Sequence, residues 1–375
     1  MTRNQKLKIL LMTVIIAVLV FGTNFILCRQ LNSESDIKRV ENFYELEENS
    51  LDMILIGAST SYTNYSAPLA WKEYGYTSYS LGTNMAPMGL AKSMLIEARK
   101  TQNPKVFVID INGILYNDEQ ESREGGLRLW IDNMKSSQNK TNTIKELVPE
   151  KDQLSYHIPF LKYHSNWPRF FECVKASIND LLEKDNDYLA ASGMEGNTRV
   201  VSQKDYVDIK QFREESPMYD LSGKHLKDLL EYCKKENLKN VMFTNMPRYY
   251  SKKMLPERGR NNSAKALIKE YGYECLDMDE FVNEIGLDPN TDFYNPNHLN
   301  IYGQKKMTYY LGNLLNNRYQ LAEGKRDEKI SKRYDKEVDG YKRVYEWADK
   351  QAKEGKKVRY EYELVKRILE DGKDK

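Results

Sequence analysis

Met53-Ile-Leu-Ile-Gly-Ala-Ser-Thr-Ser61 runs from four apolar residues into Gly57 and then into small polar side chains. Such an apolar run reads as a strand buried on both faces of a parallel sheet. Gly57 lets the backbone turn where a side chain would clash. Ser59 therefore falls just past the carboxyl end of the first strand, where open α/β sheets place their ligands. A serine hydroxyl is a weak nucleophile until a base takes its proton. The chain has four histidines, and His298 stands in a turn-rich segment, Asp292-Phe-Tyr-Asn-Pro-Asn-His-Leu-Asn-Ile-Tyr-Gly303, before a helical pattern. Asp292, six residues earlier, can fold back to orient the ring. Nucleophile, base and orienting acid together spell acyl transfer. Each residue has a plain alternative as well: Ser59 as a turn serine, His298 as a helix cap, Asp292 as an exposed loop acid. Ser61 is a fallback nucleophile farther from the strand end.

These residues resemble the SGNH (GDSL-type) hydrolase superfamily, and within it the membrane-anchored branch of DltD-like and AlgX/AlgJ-like acyl-transfer proteins. Gly57-Ala58-Ser59 matches the first block, which supplies the nucleophile. Leu81-Gly82-Thr83-Asn84 matches the second, where the glycine amide joins an oxyanion hole. Asp292 to Gly303 resembles the last, which supplies acid and base. The likeness covers roughly residues 50–115 and 220–320. Two departures stand out. The usual aspartate three residues before the histidine is Asn295 here, so either Asp292 orients His298 or the site works as a dyad, with Asn295 as another way to hold the ring. The third block is replaced by Val106-Phe-Val-Ile-Asp-Ile-Asn-Gly113, with Asn112 a weak match for the oxyanion asparagine.

The resemblance implies a three-layer α/β/α, flavodoxin-like SGNH fold with no cofactor or metal. It also implies a polytopic membrane O-acyltransferase as partner and a cell-surface glycan or teichoic-type polymer as substrate. The expected activity is O-acetylation through an acyl-serine. The alternatives are a carbohydrate or lipid esterase (deacetylase) and a catalytically silent scaffold of an acylation complex.

The elements that must position these groups are readable. Ile9–Leu27 holds 19 uncharged residues. As a helix it extends about 28 Å, close to the thickness of a bilayer core. Arg3, Lys6 and Lys8 precede it, which favours the N-terminus inside, although Arg29, Lys38 and Arg39 weaken the asymmetry. A cleaved signal peptide is the rival reading, but no small-residue cleavage site ends the run. The expected product is a single-pass anchor with the catalytic domain outside the cytoplasm.

The expected organisation is 1–29 cytoplasmic tip and anchor, 30–50 polar stalk, 51–322 catalytic domain with a cap insertion at 113–222, and 323–375 charged helical hairpin. Strands are expected at 52–58, 77–82, 105–111, 240–246 and 273–277. Helices are expected at 66–75, 87–101, 223–237, 262–271 and 300–317, and this alternation implies a parallel sheet. A further helix is expected from Asn166 to Lys184 in the insertion. The string Tyr163-His-Ser-Asn-Trp167 opens that helix and makes His164 and Trp167 candidate cleft residues, with packing as the alternative. Arg248 follows the fourth strand and is either a cleft residue or a solvated loop arginine. In the tail, Tyr334, Val338, Tyr341, Tyr345 and Ala348 recur at helical spacing, as do Val358, Tyr362, Val365 and Leu369.

Lys and Arg total 57 against 55 Asp and Glu, a net charge of +2, which gives no basis for a nucleic-acid partner. The 27 tyrosines serve packing and would also suit sugar rings. Cys28, Cys173, Cys233 and Cys275 share no short spacing, so no zinc or redox motif is formed.

Overall fold

The computed structural model of the chain describes residues 2–31, 33–182, 193–201, 205–324 and 326–360, with 364, 367 and 368. Among these, five strands form one parallel sheet: β1 Met53–Gly57, β2 Ser78–Gly82, β3 Val106–Asp110, β4 Val241–Asn245 and β5 Cys275–Asp277. Their order is β2-β1-β3-β4-β5, and each lies within two residues of its expected span. The principal helices are α1 Arg3–Leu27, α2 Glu34–Tyr44, α3 Ser59–Thr63, α4 Ala67–Tyr74, α5 Met88–Thr101, α6 Phe170–Leu182, α7 Asp220–Lys235, α8 Leu255–Glu270, α9 Ile301–Tyr319 and α10 Glu328–Lys353. A hairpin of β6 Phe293–Asn295 and β7 His298–Leu299 precedes α9.

Side chains alternate across the sheet, and each face meets helices. Ile54, Ile56, Phe107, Ile109, Val241 and Phe243 pack with apolar residues of α5, α7 and α8. Met53, Leu55, Val106, Val108 and Met242 pack with α4 and α9 on the other face. Burial on both faces is why these strands read as unbroken apolar runs. The register pairs Gly57 with Gly82 and Ile56 with Ile109. The ends of β1, β2 and β3 therefore lie side by side, with Ser59, Gly82–Thr83 and Asn112 at one edge.

The two glycines at that edge have no room for a side chain. A Cβ on Gly57 would lie 2.8 Å from Asp110 Cβ, and one on Gly82 would lie 2.4 Å from Gly57 O. Backbone cannot yield as a flexible side chain can. Gly82→Ala is expected to lower stability by about 1–3 kcal/mol, read as a drop in the midpoint of thermal unfolding. An unchanged midpoint would mean that the strand ends are not this close.

Several segments differ from expectation. Residues 30–50 form no free stalk. They contain α2, whose Val40 and Phe43 are 0 and 1 % exposed and belong to the core. Burying a side chain of this size stabilises by roughly 1.5–3 kcal/mol, so α2 docks rather than spaces. The helix expected from 262 begins at Leu255, with Pro256 in its first turn, where proline is tolerated. A Cβ on Gly259 would lie 2.3 Å from Ser216 Oγ, so the glycine in this helix serves close packing.

The insertion divides in two. Its helical part ends in a 3-10 turn, His164–Arg169, and α6, both beside α1. The part bordering the strand ends is instead the run after Gly193, where Glu195 N donates to Tyr62 O and Val207 N to Tyr250 O. The tail supplies α10, which packs on α4, and Tyr334 OH donates to Ser78 O at 2.7 Å. Beyond Gly355, Arg359–Tyr360 pairs antiparallel with Gly196–Asn197. Tyr362, Val365 and Leu369 of the second expected arm lie outside the described residues.

α1 is long and apolar enough to cross a membrane, and its apolar stretch is not buried against the rest of the chain.

Candidate active site

Ser59 opens α3 directly after the turn at Gly57-Ala58 and is 8 % exposed. One bond fixes this turn to the sheet and another closes it on itself. Thr60 Oγ1 donates to the buried Asp110 carboxylate at the end of β3, and Ser61 Oγ donates to Ala58 O at 2.7 Å. Burial pushes the Asp110 carboxyl up to about 6, although the Thr60 hydroxyl and the Asn112 and Met246 amides favour its charged form. Ser61 is thus engaged with the backbone, while Ser59 Oγ lies 2.7 Å from His298 Nε2.

His298 starts β7 at the far side of a tight turn. Its Nδ1 is 3.0 Å from Asn295 Oδ1. The same oxygen accepts from the Asn297 backbone N–H at 2.8 Å, an Asx turn across Pro296. That backbone donor fixes which end of the Asn295 amide faces the turn. An amide oxygen can only accept, so Nδ1 carries the proton and Nε2 is left bare toward the Ser59 hydroxyl. Tyr294 stacks on the imidazole with ring centroids 5.2 Å apart. Asn64 Oδ1 accepts from Leu299 N at 3.0 Å and so ties the end of α3 to the histidine strand.

Asp292 is held elsewhere. It is 1 % exposed. Its carboxylate accepts from Asp288 N at 2.7 Å, Thr291 Oγ1 at 3.0 Å and Lys306 Nζ at 2.7 Å. These partners pin the loop to α9. The atom facing His298 Nδ1 belongs to Asn295, the residue at the position where the resembled family has an aspartate. A six-residue fold-back is not needed, because the turn at Pro296 already brings residue 295 against the ring.

Arg248, 6 % exposed, braces the same loop. Its Nη2 donates to Asn297 Oδ1 and pairs with Glu257 at 2.9 Å. Tyr249 N donates to Pro296 O at 2.8 Å. Behind it, Asp279 accepts from Arg248 N, Asn245 Nδ2 and Tyr250 OH. Burial and the neighbouring Asp277 push that carboxyl up to about 7. The segment after β4 is therefore strapped to the histidine turn.

Gly82 and its neighbours are clamped from α2. Arg39, stacked 3.6 Å from the Tyr62 ring centre, donates to Gly82 O at 3.3 Å, to Asp36 and to Glu195. Asp36 Oδ1 also accepts from Asn84 N at 2.8 Å. Nothing in the 30–50 sequence signalled this role, since two charged residues on a polar helix read as a solvated face. The Asn112 side chain is half-buried at the end of β3 and makes no hydrogen bond among the described residues; its backbone N–H donates to Asp110 at 3.1 Å.

His164 and Trp167 are not with these groups. His164 Nδ1 meets Phe160 O at 3.2 Å, and Trp167 packs on Phe170, both beside the end of α1. The insertion turns toward α1 there. The four cysteines are free thiols. Among the described residues no group of three or more His, Cys, Asp or Glu is arranged to hold a metal ion. No protein-family model, curated protein or solved structure matches the chain.

Proposed function

We propose that the chain is a membrane-anchored serine acyltransferase of SGNH type that O-acetylates a surface glycan or teichoic-type polymer. The observation that carries the reading is the 2.7 Å contact of Ser59 Oγ with His298 Nε2, on a ring whose other nitrogen is held by Asn295. The strand order supports it, because in sheets of this doubly wound, flavodoxin-like order ligands bind where the strand order reverses, beside β1 and β3. Arg3, Lys6 and Lys8 before α1 favour an N-terminus inside and the domain outside.

In this mechanism His298 Nε2 takes the Ser59 proton as Oγ attacks the carbonyl carbon of an acyl donor. The tetrahedral oxyanion is met by amides near Ser59 and Gly82 and by the Asn112 side chain. Each such donor contributes on the order of 3–4 kcal/mol where it is preorganised. The donor's C–O bond breaks, its alkoxide takes the proton from His298, and acetyl remains on Ser59. A sugar hydroxyl then attacks, gives its proton to His298, and leaves as the ester while Ser59 regains its hydrogen. Esterase action follows the same path with water as the acceptor. A polytopic membrane acyltransferase would supply the acetyl group.

The test is to quench the full-length protein in detergent with acid shortly after mixing with p-nitrophenyl acetate and to map the adduct by peptide mass spectrometry. An acetyl group on Ser59, absent in Ser59→Ala, is the expected result. Acetylation confined to lysines, equal in wild type and variant, would overturn the assignment.

A further inference from the structure

The helical insertion presents large apolar side chains to solvent at the place where the anchor leaves the domain. Trp167 and Phe171 are 64 and 84 % exposed, and Leu154, Ile158, Leu161 and Ile178 are exposed as well. They are spread over the short helices Glu150–His157 and Phe160–Tyr163, the 3-10 turn and α6, so each successive element of the insertion contributes to the patch. Soluble surfaces rarely keep such a patch uncovered.

Its position is fixed against α1. Asn166 Nδ2 donates to Leu27 O and to Arg29 O, both at 2.9 Å. Ser177 Oγ reaches Phe25 O at 3.5 Å, and α6 packs along the end of α1. The uncharged stretch of α1 is about as long as a hydrocarbon core is thick. Its last turn, Phe25–Leu27, therefore sits where hydrocarbon gives way to headgroups. A segment bonded to that turn lies at the same depth. Phe21 and Phe25 of α1 are themselves exposed, so the end of α1 and the insertion beside it both present apolar side chains.

We infer that the segment from about Leu154 to Ile178 is a second membrane contact, lying in the interface of the bilayer that α1 crosses, with Trp167 and Phe171 inserted among the upper acyl chains. Tryptophan and phenylalanine on one side of a short amphipathic element are the composition that such a position favours. The bilayer is favoured over a protein partner because the depth is set by the anchor itself. The inference rests on α1 crossing a membrane and is independent of the acyl-transfer reading.

The test uses the full-length protein in phosphatidylcholine vesicles made with or without lipids brominated near the top of the acyl chain. Trp71, Trp130 and Trp347 provide the baseline. Bromolipid is expected to quench wild-type fluorescence, and Trp167→Phe should remove most of the quenchable intensity. Trp167 should also be shielded from aqueous iodide. Equal bromolipid quenching in wild type and Trp167→Phe would overturn the inference. So would a Trp167 component that iodide quenches freely, the outcome expected if this face is open to water and awaits a protein partner. Trp167 is largely exposed, so the substitution leaves the core intact, and Phe171→Glu, expected to weaken the bromolipid signal, provides an independent check.

Discussion

Ser59→Ala and His298→Ala are each expected to lower the rate of p-nitrophenyl acetate cleavage by about a millionfold in kcat, and the double variant is expected to be no worse than either single one. The expectation follows from geometry, because the hydroxyl and the ring nitrogen act as one unit and removing either leaves no activated nucleophile. Binding and oxyanion contacts should leave a residual rate above that of water. Losses that multiply in the double variant would mean that the two residues act separately. An inactive wild type in the presence of good acyl donors would favour a silent scaffold. Both side chains project from short elements on the domain edge, so circular dichroism should show a folded protein in every case.

The second large effect separates Asn295 from Asp292. Asn295→Leu removes the acceptor that holds the His298 Nδ1 proton, and the ring can then adopt the wrong tautomer. A loss of roughly 10²–10⁴ in kcat is expected. Asn295→Asp keeps the acceptor and adds a charge that stabilises imidazolium. It should match or exceed the wild type, and the acid limb of the pH–rate profile should move to higher pH, since a nearby carboxylate raises the pKa of an imidazole. Asp292→Asn should instead leave kcat close to wild type and cost about 1–2 kcal/mol of stability through its lost contacts to Lys306 and Thr291. Kinetics and thermal unfolding on the same preparations distinguish these outcomes. The reverse pattern, a dead Asp292→Asn and a healthy Asn295→Leu, would sink the proposed role of Asn295.

The sheet was legible because β1 and β3 are buried on both faces and read as short continuous apolar runs, and turn residues and an alternation with helical patterns mark them as strands. Ser59 and His298 were legible for a related reason. Each follows directly from a boundary that glycine, proline or asparagine marks in the sequence. The partner of His298 was not, because Asp292 carries the expected charge while Asn295 holds the right place, and only the turn at Pro296 decides between them. α2 was missed because its buried content is small, Val40 and Phe43 among charged residues, and its two functional charges look solvated until their partners on β2 are seen. His164 and Trp167 were drawn to the cleft by their chemistry. Nothing local in the sequence says that the insertion folds toward α1, since that path is fixed by Asn166 and Ser177 reaching the backbone of a helix far earlier in the chain.

The Arg39 and Asp36 clamp has a consequence for reach. Six residues, 28–33, join α1 to α2. Even fully extended they would span roughly 20–22 Å, and Asn166 holds the carbonyl of Arg29. Under the proposed membrane reading, α2, bonded to Gly82 and Asn84, keeps the sheet edge at Ser59 within that short reach of the bilayer. A catalytic domain on a long flexible tether sweeps a volume, whereas under that reading this one would work at a nearly fixed height. An acceptor polymer would have to come to that height, so encounters become a matter of lateral diffusion in the plane of the membrane and of which stretch of a chain is passing close to it.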